Sequence, residues 1–376
     1  MAKAPDAVEL TQTLVGFDTI NPPGNERACA EVLGQILEGA GFSCAYHEFA
    51  PSRASLIARI GRDNRRPPLC FTGHIDTVPL GAQPWTRDPF AGETADGRMY
   101  GRGTSDMKSG VAAFVAAAVV TASDLARGPG AVLVITAGEE TGCEGAFHLV
   151  SVAGALGDAG AVVVAEPTAN RVYSGHKGAL WLKARTRGVT THGSMPERGV
   201  NAVHKAARAV GQLADFDFNT ARHVVMGAPT LNVGTIKGGL NINSVPDLAE
   251  IGIDIRTIPG QRHDAVRAAL ASYLGPEVEV EPFIDVEGVW TDPAHPWMRQ
   301  VFAAVERATG EKAEVRAATY FTDAAALTPA YGHPPTVILG PGEPELAHQT
   351  DEYCVVERIR EAEAIFSYLA LEWNRT

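Results

Sequence analysis

Long apolar runs are missing from this sequence. The longest, residues 111–120, falls well short of the ~20 residues a bilayer-crossing helix needs, so no membrane span is expected and the run reads as a buried helix. Positive charge is also short: 32 Lys and Arg stand against 44 Asp and Glu, a formal net charge of -12. That balance repels phosphate backbones and anionic lipid, which argues against nucleic acid and membrane surfaces as partners. Cysteine is scarce and unpatterned. The five residues Cys29, Cys44, Cys70, Cys143 and Cys354 are odd in number and form no CxxC pair, which opposes a disulfide framework or zinc ribbon and suits reduced thiols in the cytoplasm. A secretory leader is not expected either, since Lys3, Asp6 and Glu9 interrupt the first ten residues with no apolar stretch behind them.

What is present is enough chain for two cores: 376 residues, 45% of them hydrophobic. Apolar runs at 55–60, 69–72, 131–136, 161–165 and 336–340 predict strands buried on both faces, and the stretches 26–38 and 107–120 predict helices between them. The alternation implies an α/β layer structure. Between 178 and 287 the pattern changes to strand 179–186, helix 201–214, strand 230–236, strand 248–256, helix 264–274 and strand 277–283. That βαββαβ order is the split arrangement of a ferredoxin-like domain. Residues 291–376 then return to helix, strand and helix. The expected organisation is one domain of 1–177 and 288–376 with an inserted domain of 178–287.

Carboxylates and histidines follow the predicted strands. His74 and Asp76 come after 69–72, Glu139 and Glu140 after 131–136, Glu166 after 161–165, and His348 beyond 336–340. The C-terminal edge of an open α/β sheet is where ligands bind, so these segments are expected to converge on one crevice. Taken singly, each signal is weak. His74-Ile75-Asp76 can be a surface turn; as a metal motif it is an imidazole oriented through its second ring nitrogen by Asp76. Glu139 and Glu140 can be solvated loop acids, but charges directly behind an apolar strand are costly to bury without a cation. Asp106, in Gly101-Arg102-Gly103-Thr104-Ser105-Asp106-Met107-Lys108-Ser109-Gly110, can be a helix N-cap. A phosphate loop is disfavoured there because the GxxxxGK[ST] spacing is absent and the sheet edge is lined with acids.

These motifs resemble the M20 metallopeptidase family, in its acetylornithine deacetylase and succinyl-diaminopimelate desuccinylase branch. The resemblance rests on Gly73-His74-Ile75-Asp76-Thr77-Val78-Pro79, Tyr100-Gly101-Arg102-Gly103 with Asp106-Met107-Lys108, Glu139-Glu140 with Gly142, Glu166-Pro167-Thr168 and Ala347-His348-Gln349, and runs through nearly the whole chain. It implies a zinc-peptidase-like catalytic domain with a mixed, largely parallel sheet, and an inserted ferredoxin-like lid that mediates homodimerisation. It also implies two divalent ions bridged by Asp106, one completed by His74 and Glu166 and the other by Glu140 and His348, with Glu139 as general base and Asp76 behind His74. A ligand set of imidazoles and carboxylates without thiolate suits zinc, with cobalt or manganese as substitutes. Ser109 and Gly138 depart from the usual pattern without removing a ligand.

In the insertion, Thr191-His192-Gly193-Ser194-Met195-Pro196 is similar to the segment whose histidine reaches a neighbouring subunit's active site, which makes His192 an oxyanion stabiliser. Asn243 and Arg256 match substrate-contacting positions; Arg256 suits a carboxylate clamp, with an ion pair to Asp254 as the plain alternative. Gly340-Pro341-Gly342 reads as a turn that the resemblance places beside the substrate. Tyr320, Phe321, Thr322 and Asp323 either shape an acyl pocket or pack in the core. His47, His148, His223 and His263 show no partner pattern. The activity implied is removal of an acyl group from an N-acyl amino acid. Cleavage of a dipeptide or C-terminal residue is the alternative, an N-carbamoyl hydrolase is opposed by Glu139, and an inactive scaffold is opposed by the retention of every ligand.

Overall fold

Runs such as Ala131–Thr136 and Ala161–Val164 carry no polar alternation, so both of their faces must be covered, and all their residues are buried. The computed structural model describes residues 5–62 and 66–375; the expectation of no leader at residues 1–10 falls partly outside them. Two compact units result, one of Met1–Gly175, Trp290–Ala317 and Thr322–Thr376, the other of His176–Val289 with Ala318–Phe321. The second crossing differs from the expected organisation. Ala318–Phe321 groups with the second unit because the Ala318 carbonyl accepts from Lys177 N–H at 3.0 Å and the Phe321 ring meets Trp181 edge-on at 6.5 Å.

Among the described residues the first unit carries a nine-stranded mixed sheet. Its parallel heart is Ala131–Thr136, Leu69–His74, Ala161–Val164 and Thr336–Ile338. The register sets His74 opposite Thr136, and Thr72 and Ile338 opposite or beside Val164, so the C-terminal ends of four strands finish at one edge. An antiparallel hairpin, Ser43–Ala50 and Arg53–Ile60, flanks this heart. The helix Ser109–Leu125 is buried on nearly every side, and with Val356–Arg375 it joins the main core of Leu69, Phe71, Phe114, Val163 and Phe366. By length and composition Thr104–Leu125 is apolar enough to span a membrane, yet 78% of that window is buried inside the protein, as in a core helix.

Two local features depart from the sequence expectations. The Ala-rich helix starts at Ser109 rather than 107, because Asp106 and Met107 hold non-helical backbone angles in a separate turn, Thr104–Lys108. Lys108 is the cap position, so Asp106 is not an N-cap. The C-terminal part is also richer than helix, strand, helix: Pro296–Thr309, Arg316–Ala318, Ala324–Ala330, Thr336–Ile338, Tyr353–Val355 and Val356–Arg375 follow one another.

The second unit runs Gly178–Arg187, Ala202–Leu213, Thr230–Gly238, Leu248–Thr257, His263–Leu274 and Val278–Val286, the order strand, helix, strand, strand, helix, strand. Its four strands pair antiparallel. In Gly178–Arg187 the buried Leu180, Leu182 and Ala184 alternate with partly open Trp181, Lys183 and Arg185, and the buried set shares a core with Ala206, Leu213, Leu270 and Leu274.

Candidate active site

Aligned strand ends bring side chains from five chain segments together in the first unit. His74 Nε2 lies 3.1 Å from Asp106 Oδ1, 3.9 Å from Glu166 Oε1 and 4.0 Å from Glu139 Oε2. His348 Nε2 lies 3.1 Å from Glu140 Oε2 and 3.5 Å from the other oxygen of Asp106, Oδ2. Asp106 thus faces both imidazoles with different oxygens, and ligand atoms of His74, Asp106 and Glu140 lie within 4.8 Å of one another. Glu139 and Glu166 are almost wholly buried, whereas the His348 side chain is 54% exposed.

Asp76 is placed differently from the simple expectation. His74 Nδ1 donates to the Asp76 main-chain carbonyl at 3.0 Å, which turns Nε2 towards the carboxylates. The Asp76 carboxylate is 3.5 Å from that ring and instead accepts from Glu139 N–H at 3.1 Å, Glu140 N–H at 3.2 Å and Asn21 Nδ2 at 3.0 Å. It therefore holds the turn that carries both glutamates.

The electrostatics describe a cluster short of positive charge. Burial pushes Glu139 and Glu166 well above the ordinary carboxylate range against the pull of His74, and neighbouring acids add to that push. Against the same push of burial, hydrogen bonds from His348 and His74 hold Asp106 well below its usual value. His348, beside Asp106 and Glu140, is raised to about 10, and the same kind of carboxylate contacts lift His74 despite burial. Glu140 Oε1 is buried with no hydrogen-bond partner. Converging carboxylates, a buried acceptor without a donor and imidazoles that must hold protons to balance the charge are what a divalent-cation site presents, because a cation replaces those protons.

The other expected residues belong to the second unit. His192 and Asn243 sit on adjacent loop segments, joined by a bridge between His192 and Ser244 and a 2.7 Å hydrogen bond from Gly193 N–H to the Asn243 carbonyl. His192 is exposed, and its Nδ1 accepts from Ser194 N–H at 3.2 Å, so Nε2 carries the ring proton. Arg256 pairs with Asp254, Nε to Oδ1 at 2.9 Å and Nη2 to Oδ2 at 3.2 Å, and lies over Trp181 at 5.7 Å. Of 320–323, Tyr320 and Phe321 group with the second unit. Thr322 and Asp323 are buried in the first, where Asp323 accepts from the Thr136 hydroxyl and lies close enough to raise Glu139 and Glu166.

Sequence reasoning passed over Asn21 and Glu352 and gave Arg102, a member of a quoted motif, no role. Glu352 is fully buried and accepts three backbone N–H groups of the Asp106 turn, with burial raising its carboxyl to about 7. An acid four residues beyond His348 was its only trace. Asn21 left none.

The profile of Peptidase family M20/M25/M40 matches residues 70–372. The chain is 34% identical over 381 residues to a succinyl-diaminopimelate desuccinylase of Cereibacter sphaeroides, covering 96% of this chain and 97% of that one. It is 31% identical over 375 residues to an acetylornithine deacetylase of Vibrio cholerae, covering 94% and 95%. An M20 family metallo-carboxypeptidase of Sulfolobus solfataricus has the same fold at a TM-score of 0.81 and 16% identity, covering 99% of this chain and 100% of that one. With the family profile spanning most of its length and relatives aligned from end to end, the chain belongs to peptidase family M20/M25/M40 and is a hydrolase of amide bonds.

Proposed function

We propose that the protein removes the acyl group of an N-acyl amino acid with two divalent ions, zinc or, as substitutes, cobalt or manganese. The observation that carries this reading is the meeting of His74, Asp106 and Glu166 on one side and Asp106, Glu140 and His348 on the other, with Glu139 beside them. His74, Asp106 and Glu166 would hold one ion, Asp106, Glu140 and His348 the other. Bound there, the pair supplies an acidified water and a Lewis acid for the amide carbonyl. Glu139 takes the proton from that water and returns it to the leaving amine, a role suited to a carboxylate whose affinity for protons burial has raised. Asp76 keeps Glu139 in place through its backbone N–H.

His192 presents an Nε2–H donor, the form needed to stabilise a developing oxyanion. It serves a neighbouring subunit's reaction in a homodimer, and the fully exposed Leu240 and Ile242 beside Asn243 suit burial against a second copy. Asn243 and Arg256 contact substrate, Arg256 exchanging its Asp254 partner for the substrate carboxylate. Five free cysteines fit the reducing cytoplasm. Deacylation is preferred over dipeptide or C-terminal cleavage because the relatives similar in sequence are a desuccinylase and a deacetylase, while the carboxypeptidase shares the fold alone.

Glu139→Gln is expected to retain both ions by elemental analysis while kcat on N-acetyl or N-succinyl amino acids falls by ~10²–10⁴. Undiminished turnover would remove Glu139 from the reaction, and dipeptides as the sole substrates would overturn the deacylase reading. Mixing inactive His192→Ala and Glu139→Gln subunits is expected to restore activity in heterodimers, and its absence in verified heterodimers would show that His192 acts within its own chain.

A further inference from the structure

Arg102 and Glu352 bring opposite charges into a place almost without solvent, at 1% and 0% exposure, with Nη1 donating to Oε2 at 2.6 Å. A buried ion pair adds little net stability over apolar groups of the same volume, so stability alone does not account for it. The remaining hydrogen bonds do. Glu352 Oε2 accepts from Gly103 N–H at 3.1 Å, and Oε1 accepts from Ser105 N–H at 2.7 Å and Asp106 N–H at 3.0 Å. Arg102 also donates to the Gln349 carbonyl from Nη1 and to the Pro79 carbonyl from Nη2, both at 3.2 Å. Every one of these partners is, or stands close in the chain to, a residue of the cluster: Asp106 itself, His348 before Gln349, and the His74–Asp76 segment before Pro79.

The two halves of the cluster differ in what fixes them. His74 ends a strand paired on both sides, and Glu166 follows Ala161–Val164 in the same parallel sheet. Glu140 and His348 sit on loops, and His348 is half open to solvent. A loop ligand gains most from an outer hydrogen-bonding frame, since a misplaced ligand weakens an ion by ~10–100-fold.

Resting on the two-ion reading above, we propose that Arg102 and Glu352 are positioning residues that lock the Asp106 turn against the His348 loop. Through Asp106, which both ions share, they bear on the whole cluster, and most on the ion held by the loop residues Glu140 and His348, since His74 and Glu166 are also fixed by the sheet.

The test is a zinc titration of the full chain against a chromophoric chelator, for the natural protein, Arg102→Lys and Glu352→Gln. The natural protein is expected to take up two ions in resolvable steps. Lysine keeps the charge but cannot reach Glu352, Gln349 and Pro79 together, and glutamine keeps the shape but offers one acceptor oxygen in place of two. Each variant is expected to weaken the second ion by ~10–100-fold and the first, which shares only Asp106 with the frame, by clearly less. Equal weakening of both steps, as a merely structural role would give, or no change in either, overturns the proposal. Uptake of fewer than two ions by the natural protein sinks the two-ion reading instead. Should the variants misfold, hydrogen exchange on the metal-free natural protein decides. The amides of Gly103, Ser105 and Asp106 are expected to be protected before any ion binds, and exchange at open-loop rates refutes the frame.

Discussion

At the scale of single residues, the cluster shows how burial assigns chemistry to ordinary side chains. Glu139 and Glu140 are neighbours with the same functional group, yet one lies against His74 and the other against His348, on a turn whose two N–H groups both donate to Asp76. A contrasting case is His176, buried in the second unit with Nε2 lacking a partner and Nδ1 against the Lys177 carbonyl. Burial lowers it from the usual 6.5 to about 4. The fold therefore favours the neutral ring, a contribution fully present above pH 6.5 and lost as pH falls through 6.5 towards 4, where the unfolded chain gains a proton the folded one refuses. At 1.36 kcal/mol per unit the loss reaches about 3 kcal/mol by pH 4. In denaturant unfolding of the metal-free proteins, the natural chain is expected to lose about that much more stability over this window than His176→Gln, a difference that leaves out the opposing buried carboxyls common to both. An unchanged slope in the variant would assign the acid sensitivity to other groups.

At the scale of elements, the turn Gly340-Pro341-Gly342 shows how backbone contacts hold the ligand-bearing loops. A Cβ at Gly342 would run into the Ser105 carbonyl oxygen, and one at Gly340 into the Ala165 carbonyl oxygen, so the turn threads between the Asp106 turn and the approach to Glu166. Gly342→Ala is expected to cost about 1–3 kcal/mol in denaturant unfolding by forcing those backbones apart, and to weaken metal binding in chelator competition. Natural stability and affinity in that variant would mean the contact yields freely. The same elements explain what was legible beforehand. Ala131–Thr136 and Leu248–Thr257 announce themselves because continuous or strictly alternating apolar residues have no other use. Ser43–Ala50 does not, since its polar, half-open residues at the margin of the sheet look like loop. The separate turn at Thr104–Lys108 was hidden because the Ala-rich run behind it reads as one helix. His74, Asp106, Glu139, Glu140, Glu166 and His348 could be gathered on paper since each follows an apolar run or a glycine-rich motif. Glu352 could not, because a buried acid is recognisable only from its partner, and Arg102 lies far away in the chain.

At the scale of the whole molecule, each unit has its own main apolar core among the described residues. One gathers Leu33, Phe71, Phe114, Val163 and Phe366, and the other Leu182, Ile253, Leu270 and Val278. All the proposed metal ligands belong to the first unit, while the second holds none of them. Ligand binding stabilises the state that binds by RT ln(1 + [L]/Kd), about 2.7 kcal/mol at a hundredfold excess over Kd, and acts on the cooperative unit that contains the site. For a unit of this size each kcal/mol moves the midpoint by roughly 2–4 °C, so saturating zinc should raise the first unit's transition by about 5–10 °C. Differential scanning calorimetry with and without a chelator is expected to show two components, of which only the larger moves. A common shift of both would mean that the chain unfolds as one cooperative block, and no shift in either would mean that no ion binds at the cluster of His74, Asp106 and Glu140.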